Sequence, residues 1–189
     1  MKKKRGKLFV ISGPSGAGKS TLINDLLKDM KGFVGSVSMT TRPKRKNEIE
    51  GTKYIFVSDS EFEDLVKNDE LLEHAEYCGF KYGTSKDFVQ KQLKEGKNVI
   101  LEIEVKGAMQ IKKCMPDSFM IFIVTPSKDI LKERLNKRNT ESKSEIEKRI
   151  EVAKDEMSYQ KYYDCIIVNN DYNETLLNLK HILQKQKEC

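Results

Sequence analysis

The sequence predicts an α/β fold, in which a parallel sheet flanked by helices carries a small mixed antiparallel insertion and a lid. Apolar segments of strand length alternate with amphipathic helical segments, a pattern typical of a parallel sheet covered on both faces. A glycine-rich loop joins the first strand to the first helix, and short alternating segments interrupt the pattern after residue 34. We therefore expect a core of residues 1–34 and 85–189, with a lid at about 135–145, and an insertion of residues 35–84.

The predicted elements of the core follow one another in regular order. Its strands are KLFVIS (7–12), NVILEIE (98–104), SFMIFIV (118–124) and DCIIVN (164–169). Its helices are 19–31, 85–95, 106–114, 127–138, 143–160 and 172–187. Thr84 or Ser85 is expected to cap the second of these helices, and Gly96 is expected to end it.

The insertion differs from the core in its pattern. GSVSMTT, KYIFV and LLEHAEY predict short, partly alternating strands, with a helix at 59–68 between the last two. Within the core, the polar segment 135–145 joins two helices and lacks apolar residues that would anchor it. It is either a plain surface loop or a mobile lid.

Composition restricts the class of protein. Charged residues make up 34% of the chain, and no apolar segment approaches the roughly 18 residues that would span a membrane. The basic start MKKKRG precedes a short apolar segment that leads into the glycine-rich loop, which predicts a strand and not a signal peptide. Four scattered cysteines and two histidines show no metal-ligand spacing, so we expect reduced thiols in a cytoplasmic protein.

The net charge of +6 has three possible explanations. It can indicate nucleic-acid binding, a site for several phosphates, or lysines that only keep the surface soluble. The sequence has no basic patch interleaved with aromatic residues and no nucleic-acid-binding motif, so neither a nucleic acid nor a membrane is expected as a partner. Monomer and homodimer both stay open.

The loop GPSGAGKS, residues 13–20, has the G-x-x-x-x-G-K-S spacing of a P-loop. Glycines let backbone N–H groups approach phosphate oxygens, and the start of the following helix attracts negative charge. Lys19 is expected to reach the β- and γ-phosphates, and the Ser20 hydroxyl to join the coordination of Mg²⁺. An ordinary glycine-rich turn explains this spacing poorly, so the loop predicts a site for a nucleoside triphosphate.

A second group of residues lies in the insertion. The segment SVSMTTRPKR places Arg42 and Arg45 three residues apart, beside hydroxyl side chains. Together with KNEIEGTKYIFVS, ELLEHAEYCGFKYGTS and ILEIEVKGA, this segment resembles the guanylate kinase family, and the resemblance extends from the P-loop to IIVNND. It implies an enzyme that transfers the γ-phosphoryl group of ATP to GMP and uses Mg²⁺ as its cofactor.

The resemblance also implies roles for residues of the insertion. Arg42 and Arg45 would hold the GMP phosphate, because guanidinium groups match phosphate oxygens in pairs. Glu73 would accept the two adjacent donors of guanine, its N1–H and its exocyclic amine, whereas adenine presents an acceptor at N1. The implied GMP-binding residues are Ser38, Arg42, Arg45, Tyr54, Glu73, Tyr82, Thr84, Glu104 and Gly107.

For the triphosphate, the resemblance implies a set of cations and the P-loop backbone. Its catalytic residues would be Lys19, Arg42, Arg134, Arg138 and Arg149, which neutralise the transferring phosphoryl group. Its ATP-binding residues would be Gly13, Pro14, Ser15, Gly16, Ala17, Gly18, Lys19, Ser20, Thr21, Arg134, Arg138 and Asn169. Glu102 resembles the acid that holds Mg²⁺ with Ser20, partly through water. On a strand that reaches residue 104, Glu102 and Glu104 should point to the same face.

Two residues depart from the family pattern, and one alternative function stays open. Glu104 stands where the family commonly has aspartate, and Asn139 stands where it usually has glycine. The alternative is a non-catalytic guanylate-kinase-like module that binds proteins. Such modules typically lose the working P-loop, so the presence of Lys19 and Ser20 beside the three arginines favours the enzyme.

Overall fold

The structure is a computed structural model, which describes residues 4–46, 48–136 and 143–188. For residues 135, 143–149 and 188 it describes the backbone alone. Arg138, Asn139 and most of the predicted lid lie outside the described residues, as does the side chain of Arg149. The chain divides into two compact units: unit 1 is Met1–Leu8 with Gly32–Ser118, and unit 2 is Phe9–Lys31 with Phe119–Cys189.

Nine strands and seven α-helices lie within the described residues. The strands are β1 (Leu8–Ser12), β2 (Phe33–Gly35), β3 (Ser38–Thr40), β4 (Tyr54–Phe56), β5 (Leu71–Tyr77), β6 (Phe80–Ser85), β7 (Asn98–Glu102), β8 (Phe119–Val124) and β9 (Cys165–Val168). The helices are α1 (Lys19–Asp29), α2 (Asp59–Lys67), α3 (Lys86–Lys94), α4 (Val105–Cys114), α5 (Lys128–Asn136), α6 (Lys143–Met157) and α7 (Tyr172–Glu188), with a 3₁₀ helix at Ser158–Tyr162. In the part of the chain that the structure describes, no helix combines the length and the apolar character that a membrane crossing needs.

Unit 2 is built on three parallel strands. β1 pairs with β8, and β8 pairs with β9. All five residues of β1 are buried, as expected of a strand covered on both faces. The fully buried Leu22 and Leu26 of α1 and Leu179 and Leu183 of α7 add to the core of this unit. The end of β1 therefore holds the start of the glycine-rich loop on a rigid element.

Unit 1 contains a parallel pair of strands and a mixed sheet. β2 pairs in parallel with β7. The mixed sheet has the strand order β4-β3-β6-β5, in which β3 and β4 are parallel and the other two pairs are antiparallel. The register between β5 and β6 shifts between Leu71 and Glu73, which is a bulge or a similar irregularity. This shift lies at the start of the strand that carries a predicted site residue.

The predicted fold class is confirmed: five strands pair in parallel, three in unit 2 and two in unit 1, and a mixed sheet accompanies them. Ser85 caps α3 by accepting a hydrogen bond from the N–H of Phe88, and Gly96 follows the helix with a φ of +81°. The sequence does not predict β2, because a strand of three residues shows no readable period. The division into a core and an insertion stays a prediction.

One predicted strand is too long. The predicted strand 98–104 ends at Glu102, because Glu104 takes the N-cap position of α4. An N-cap residue already belongs to the start of a helix, where the alternation of a strand no longer applies. The expectation that Glu102 and Glu104 share one strand face is therefore wrong.

Candidate functional site

The phosphate loop, residues 13–20, follows β1 and leads into α1. Gly13 has a φ of +140°, and a Cβ there would lie 2.0 Å from the carbonyl oxygen of Ile123. Gly18 has a φ of +90°, and a Cβ there would lie 2.4 Å from Nδ2 of Asn169. Both distances are far too short for a side chain, so the loop takes this path only with glycine at these two positions.

Hydrogen bonds within the phosphate loop fix its shape. The N–H of Ala17 donates to the carbonyl oxygen of Pro14 at 3.1 Å. Nζ of Lys19 donates to the carbonyl oxygens of Gly13 at 2.5 Å and Pro14 at 3.0 Å. The ammonium group therefore lies back against the start of the loop, although Lys19 belongs to the helix that follows it.

The start of α1 is suited to an anion. Gly18 is the N-cap in a left-handed conformation, it makes no side-chain cap, and the first turn contains no acidic residue. The first-turn N–H groups of a helix and the helix dipole both attract negative charge. The structure places the predicted residues of this region in one continuous stretch: Gly13, Pro14, Ser15, Gly16, Ala17, Gly18, Lys19, Ser20 and Thr21.

Asn169, which follows β9, supports the phosphate loop within unit 2. Its Nδ2 donates to the carbonyl oxygen of Ala17 at 2.7 Å, and its side chain is almost completely buried. Its own carbonyl oxygen accepts a hydrogen bond from Nη2 of Arg134 at 3.1 Å. The predicted residues Asn169 and Arg134 are therefore both linked to the loop.

A second group, the arginine cluster, contains Arg42, Arg45, Glu48, Tyr54 and Tyr82 in unit 1. Nη2 of Arg42 donates to Oε1 of Glu48 at 2.7 Å, and the N–H of Arg45 donates to Oε2 of Glu48 at 2.9 Å. The guanidinium carbon of Arg42 lies 5.3 Å from the centre of the Tyr54 ring. That ring centre lies 6.2 Å from the ring centre of Tyr82. The cluster is thus assembled around Arg42.

Arg42 keeps its charge although it is only 8% exposed. Burial is the largest single influence and opposes the charge, but the hydrogen bond and negative charge of Glu48, together with Tyr82, outweigh it, and the pKa of Arg42 is raised. Burial likewise opposes the charge of Glu48, but the guanidinium and the N–H of Arg45 lower its pKa. Burial raises the pKa of Tyr54, so its hydroxyl stays a donor. A buried guanidinium beside a tyrosine hydroxyl can bind a phosphate group.

A third group, the carboxylate cluster, contains Glu73, Thr84, Glu104 and Gly107, also in unit 1. Glu73 on β5 is 4% exposed, and its Oε1 accepts a hydrogen bond from the Thr84 hydroxyl at 2.6 Å. Its Oε2 lies 2.1 Å from the position of a Cβ on Gly107, so only glycine leaves room for this carboxylate. Glu104 accepts hydrogen bonds from the N–H groups of Lys106 at 2.8 Å and Gly107 at 2.5 Å.

Burial dominates the electrostatics of the carboxylate cluster. It raises the pKa of Glu73 to about 7, which the hydrogen bond from Thr84 opposes and the nearby Glu104 carboxylate reinforces. Burial also raises the pKa of Glu104, against the effect of its two N–H donors. A carboxylate that has lost its water is a strong acceptor for the N–H groups of a ligand, and such perturbed groups concentrate at functional sites.

The mixed sheet brings the arginine cluster and the carboxylate cluster together. Ser38 on β3 lies opposite Tyr54 on β4 and opposite Thr84 on β6. Tyr82 on β6 lies opposite Thr40, two residues before Arg42. The predicted GMP-binding residues therefore come together in unit 1, whereas the phosphate loop belongs to unit 2.

Comparisons with known proteins identify the family of the chain. The family model described as Guanylate kinase matches residues 5–186. The chain belongs to the guanylate kinase family. A guanylate kinase from Desulfitobacterium hafniense is 44% identical over 187 residues, which cover 99% of this chain and 94% of that protein. A guanylate kinase from Shewanella oneidensis is 45% identical over 184 residues, which cover 97% and 89%. The crystal structure of guanylate kinase from Anaplasma phagocytophilum matches with a TM-score of 0.83 at 34% identity, covering 99% of this chain and 89% of that one.

Two charged residues join the predicted ones in this member of the guanylate kinase family. Glu48 bonds both predicted arginines, as described above, and Nζ of Lys53 lies 2.6 Å from Oε2 of Glu102. The only sequence signal for Glu48 is an acidic residue three positions after Arg45. No local signal predicts the pair of Lys53 and Glu102, because the two residues are 49 positions apart.

Glu104, where the resemblance leads us to expect aspartate, makes contacts that the resemblance does not predict. Each of its carboxylate oxygens accepts a backbone N–H at the start of α4. Such bonds satisfy helix N–H groups that otherwise lack a partner. Glu104 therefore holds the helix on which Gly107 faces Glu73. The other departure, Asn139, lies outside the described residues.

Proposed function

We propose that this chain is a guanylate kinase, which transfers the γ-phosphoryl group of ATP to GMP and forms ADP and GDP. The observation that carries the proposal is the buried carboxylate of Glu73 on β5. The mixed sheet that contains β5 also contains β3, and the buried Arg42 follows β3 by two residues. An acceptor for base N–H groups and a cation for a phosphate, in one unit, suit a nucleoside monophosphate. The P-loop supplies the site for the triphosphate.

Guanine selection is assigned to Glu73 with Thr84. Guanine presents two adjacent donors, which one carboxylate accepts together, whereas adenine presents a lone pair at N1. A site built around such a buried hydrogen-bonding group rejects an analogue that lacks the partner by roughly 10⁴-fold. The deoxyribose nucleotide dGMP carries the same base, so we propose that it is also accepted.

The GMP phosphate is assigned to Ser38, Arg42, Arg45, Tyr54 and Tyr82. A phosphate monoester has a second pKa near 6 and is largely dianionic at pH 7, so the nucleophile needs no general base. One oxygen of this phosphate attacks the γ-phosphorus, the bond between that phosphorus and the bridging oxygen breaks, and ADP leaves. What the protein supplies is position and positive charge.

The ATP phosphates are assigned to the backbone of residues 13–20 with Thr21, and to Asn169, which supports that loop. Lys19, Arg134, Arg138 and Arg149, together with Arg42, are proposed to neutralise the phosphoryl group during transfer. Donors fixed in advance around developing charge are usually the largest single contribution to such a reaction. Lys19 and Arg134 already have fixed positions through backbone carbonyl groups.

Magnesium is the proposed cofactor, held by Ser20 and Glu102 with the phosphates and water. Both side chains offer the oxygen donors that Mg²⁺ prefers, and Glu102 already pairs with a cation, the ammonium of Lys53. Among the described residues, no group of three or more acidic, histidine or cysteine side chains could hold a metal ion. That fits an ion that takes most of its ligands from phosphates and water. When bound, Mg²⁺ neutralises phosphate charge.

The proposed partners are the substrates ATP and GMP, with neither a nucleic acid nor a membrane among them. We place the reaction in purine nucleotide metabolism and the protein in the cytoplasm, as a monomer or a homodimer. Cys78, Cys114 and Cys165 are free thiols, which suits a reducing compartment.

A coupled assay of ADP formation tests the function. Purified protein with ATP and Mg²⁺ should form ADP when GMP is added, and much less with AMP, CMP, UMP or TMP. Omitting GMP controls for ATP hydrolysis, and excess EDTA should stop the reaction. Absence of GDP under these conditions would refute the proposal.

The same protein also discriminates the alternative. Calorimetric titration with GMP should show binding whether or not transfer occurs. GMP binding without transfer would favour a non-catalytic module of the same family. Turnover with another monophosphate in preference to GMP would instead remove Glu73 from the role of selecting the base.

A further inference from the structure

Strand β5 forms one edge of the mixed sheet, since the strand order is β4-β3-β6-β5. Backbone groups on the outer side of an edge strand have no strand partner and need another one. At His74 the side-chain amide of Gln110, on α4, takes both groups. Nε2 of Gln110 donates to the carbonyl oxygen of His74 at 2.6 Å, and the N–H of His74 donates to Oε1 of Gln110 at 3.1 Å. At this point one amide replaces a neighbouring strand.

This contact lies beside the carboxylate that is proposed to select guanine. Glu73 precedes His74, and the register of β5 against β6 shifts between Leu71 and Glu73. An irregularity of this kind disrupts the ladder locally just before Glu73, whereas Glu73 and His74 themselves pair with β6 in regular register. The Gln110 amide attaches the strand from its other side.

Helix α4 also determines the space in which Glu73 lies. Gly107 precedes Gln110 by three residues, so the two lie on one face of the helix. A Cβ on Gly107 would lie 2.1 Å from Oε2 of Glu73. The close approach of Glu73 to Gly107 and the two hydrogen bonds of Gln110 therefore depend on the same quantity, which is the spacing between β5 and α4.

We propose that Gln110 is a positioning residue for guanine recognition. Its amide sets the spacing between β5 and α4, and so holds the carboxylate of Glu73 where it accepts both donors of the base. The inference rests on the proposed function. Because Gln110 bonds only the backbone of His74 in this contact, the side chain of His74 should not matter.

A purely structural role for Gln110 has a different consequence. Protection of an edge strand would contribute to the stability of the fold and would leave the choice of base unchanged. Comparing the affinities for GMP and IMP distinguishes the two roles, because the base of IMP lacks the exocyclic amine. A misplaced carboxylate loses the second hydrogen bond to GMP, whereas IMP never makes it.

The experiment uses two variants and two controls in the full chain. Gln110→Met removes the amide at similar length, and Gln110→Asn keeps the amide but shortens it by one methylene. His74→Ala keeps the contacted backbone. Gln92→Leu removes an amide from α3, where Oε1 of Gln92 accepts a hydrogen bond from Nζ of Lys97. Calorimetry gives the Kd values of GMP, IMP and ATP, and hydrogen exchange followed by NMR reports on the N–H of His74.

Both Gln110 variants should bind GMP about tenfold more weakly, because small displacements matter in a positioned site. The affinity for IMP should fall less than the affinity for GMP, so the preference for GMP over IMP should fall about threefold or more. The Kd of ATP should not change, and the N–H of His74 should exchange faster. Both controls should resemble the wild type.

Three results would overturn the inference. The first is an unchanged preference for GMP over IMP in both variants while His74 exchanges faster. The second is an equal loss of GMP and ATP affinity. The third is a wild-type protein that binds no GMP, which would also refute the proposed function. If the wild type binds GMP but transfers no phosphoryl group, the proposed reaction is refuted, and the binding measurements on the Gln110 variants still test its positioning role.

Discussion

The phosphate loop and the carboxylate cluster are built from different parts of the chain. The loop uses backbone groups of consecutive residues, and its lysine bonds carbonyl groups five and six positions away. The cluster uses side chains from β5, β6 and the start of α4, which come together only through the fold. The hydrogen bonds of Lys19 are local, whereas the cluster buries a carboxylate, which costs stability. Removing the Lys19 charge should therefore change catalysis alone, and neutralising Glu73 should change binding and stability in opposite directions.

The largest expected effect tests the loop side of this comparison. Lys19→Ala should lower kcat by about 10²- to 10³-fold, because a fixed charge on the transferring phosphoryl group is lost. Its melting temperature should stay close to that of the wild type. Lys28→Ala is the matched control, since this lysine of the same helix pairs with Asp25 at the surface. A kcat within tenfold of the wild type would remove Lys19 from the catalytic residues.

The second effect tests the cluster side. Glu73→Gln should lower kcat/KM for GMP by about 10²-fold, because an amide accepts one donor and presents one of its own. The KM for ATP should not change. An unaltered kcat/KM for GMP would show that Glu73 does not bind the base.

The same variant should gain stability at neutral and higher pH. The pKa of Glu73 is about 7 in the folded protein, above its ordinary value of 4.5. A group with such a raised pKa contributes its full stabilisation below pH 4.5, where it is protonated. That contribution is lost as the pH rises through 7. Glutamine does not titrate, so at pH 8 the free energy of unfolding of Glu73→Gln should exceed that of the wild type by on the order of 3 kcal/mol. Urea unfolding at pH 4.5 and pH 8 measures this, and an equal difference at both values would contradict it.

The third effect concerns the arginine cluster, where the expected change is smaller than at Lys19 or Glu73. Arg42→Ala and Arg45→Ala should raise the KM for GMP by about tenfold or more, and the KM for ATP much less, because each loses a charged contact to one phosphate. Arg42→Ala should also leave Glu48 without its ion-pair partner, so it should destabilise the fold more than Arg45→Ala does. Initial rates with each substrate varied, and thermal unfolding, provide the test. Equal changes in both KM values would argue against a GMP-specific role.

The smallest effect is expected at Glu104. Glu104→Asp should keep both the activity and the cap of α4, because aspartate is a preferred N-cap residue. The KM for GMP should change by about threefold or less, and the KM for ATP should not change. Glu104→Ala should instead lower stability by about 1 kcal/mol through loss of the cap. Loss of activity in Glu104→Asp would indicate that the extra methylene of Glu104 is required.

The sequence by itself determined the parts of this protein that depend on neighbours along the chain. Gly13 and Gly18 could be recognised because one short segment contains the whole turn, and Ser85 because a cap acts within one helical turn. Of the five parallel strands among the described residues, β1, β7, β8 and β9 could be recognised because they are largely apolar, whereas β2 is too short to show a period. The site residues of the insertion were implied by resemblance to a family, and their roles stay predictions.

Only the tertiary structure decided what depends on distant partners. The burial and raised pKa of Glu73, the clearance at Gly107, and the pair of Lys53 and Glu102 involve residues far apart in sequence. The sequence did not predict the cap at Glu104 for a related reason. The apolar pattern of β7 continues without a break up to Glu104, which is the N-cap of α4. Local patterns report backbone conformation and periodicity. The distance between two remote side chains depends on how all the intervening elements pack.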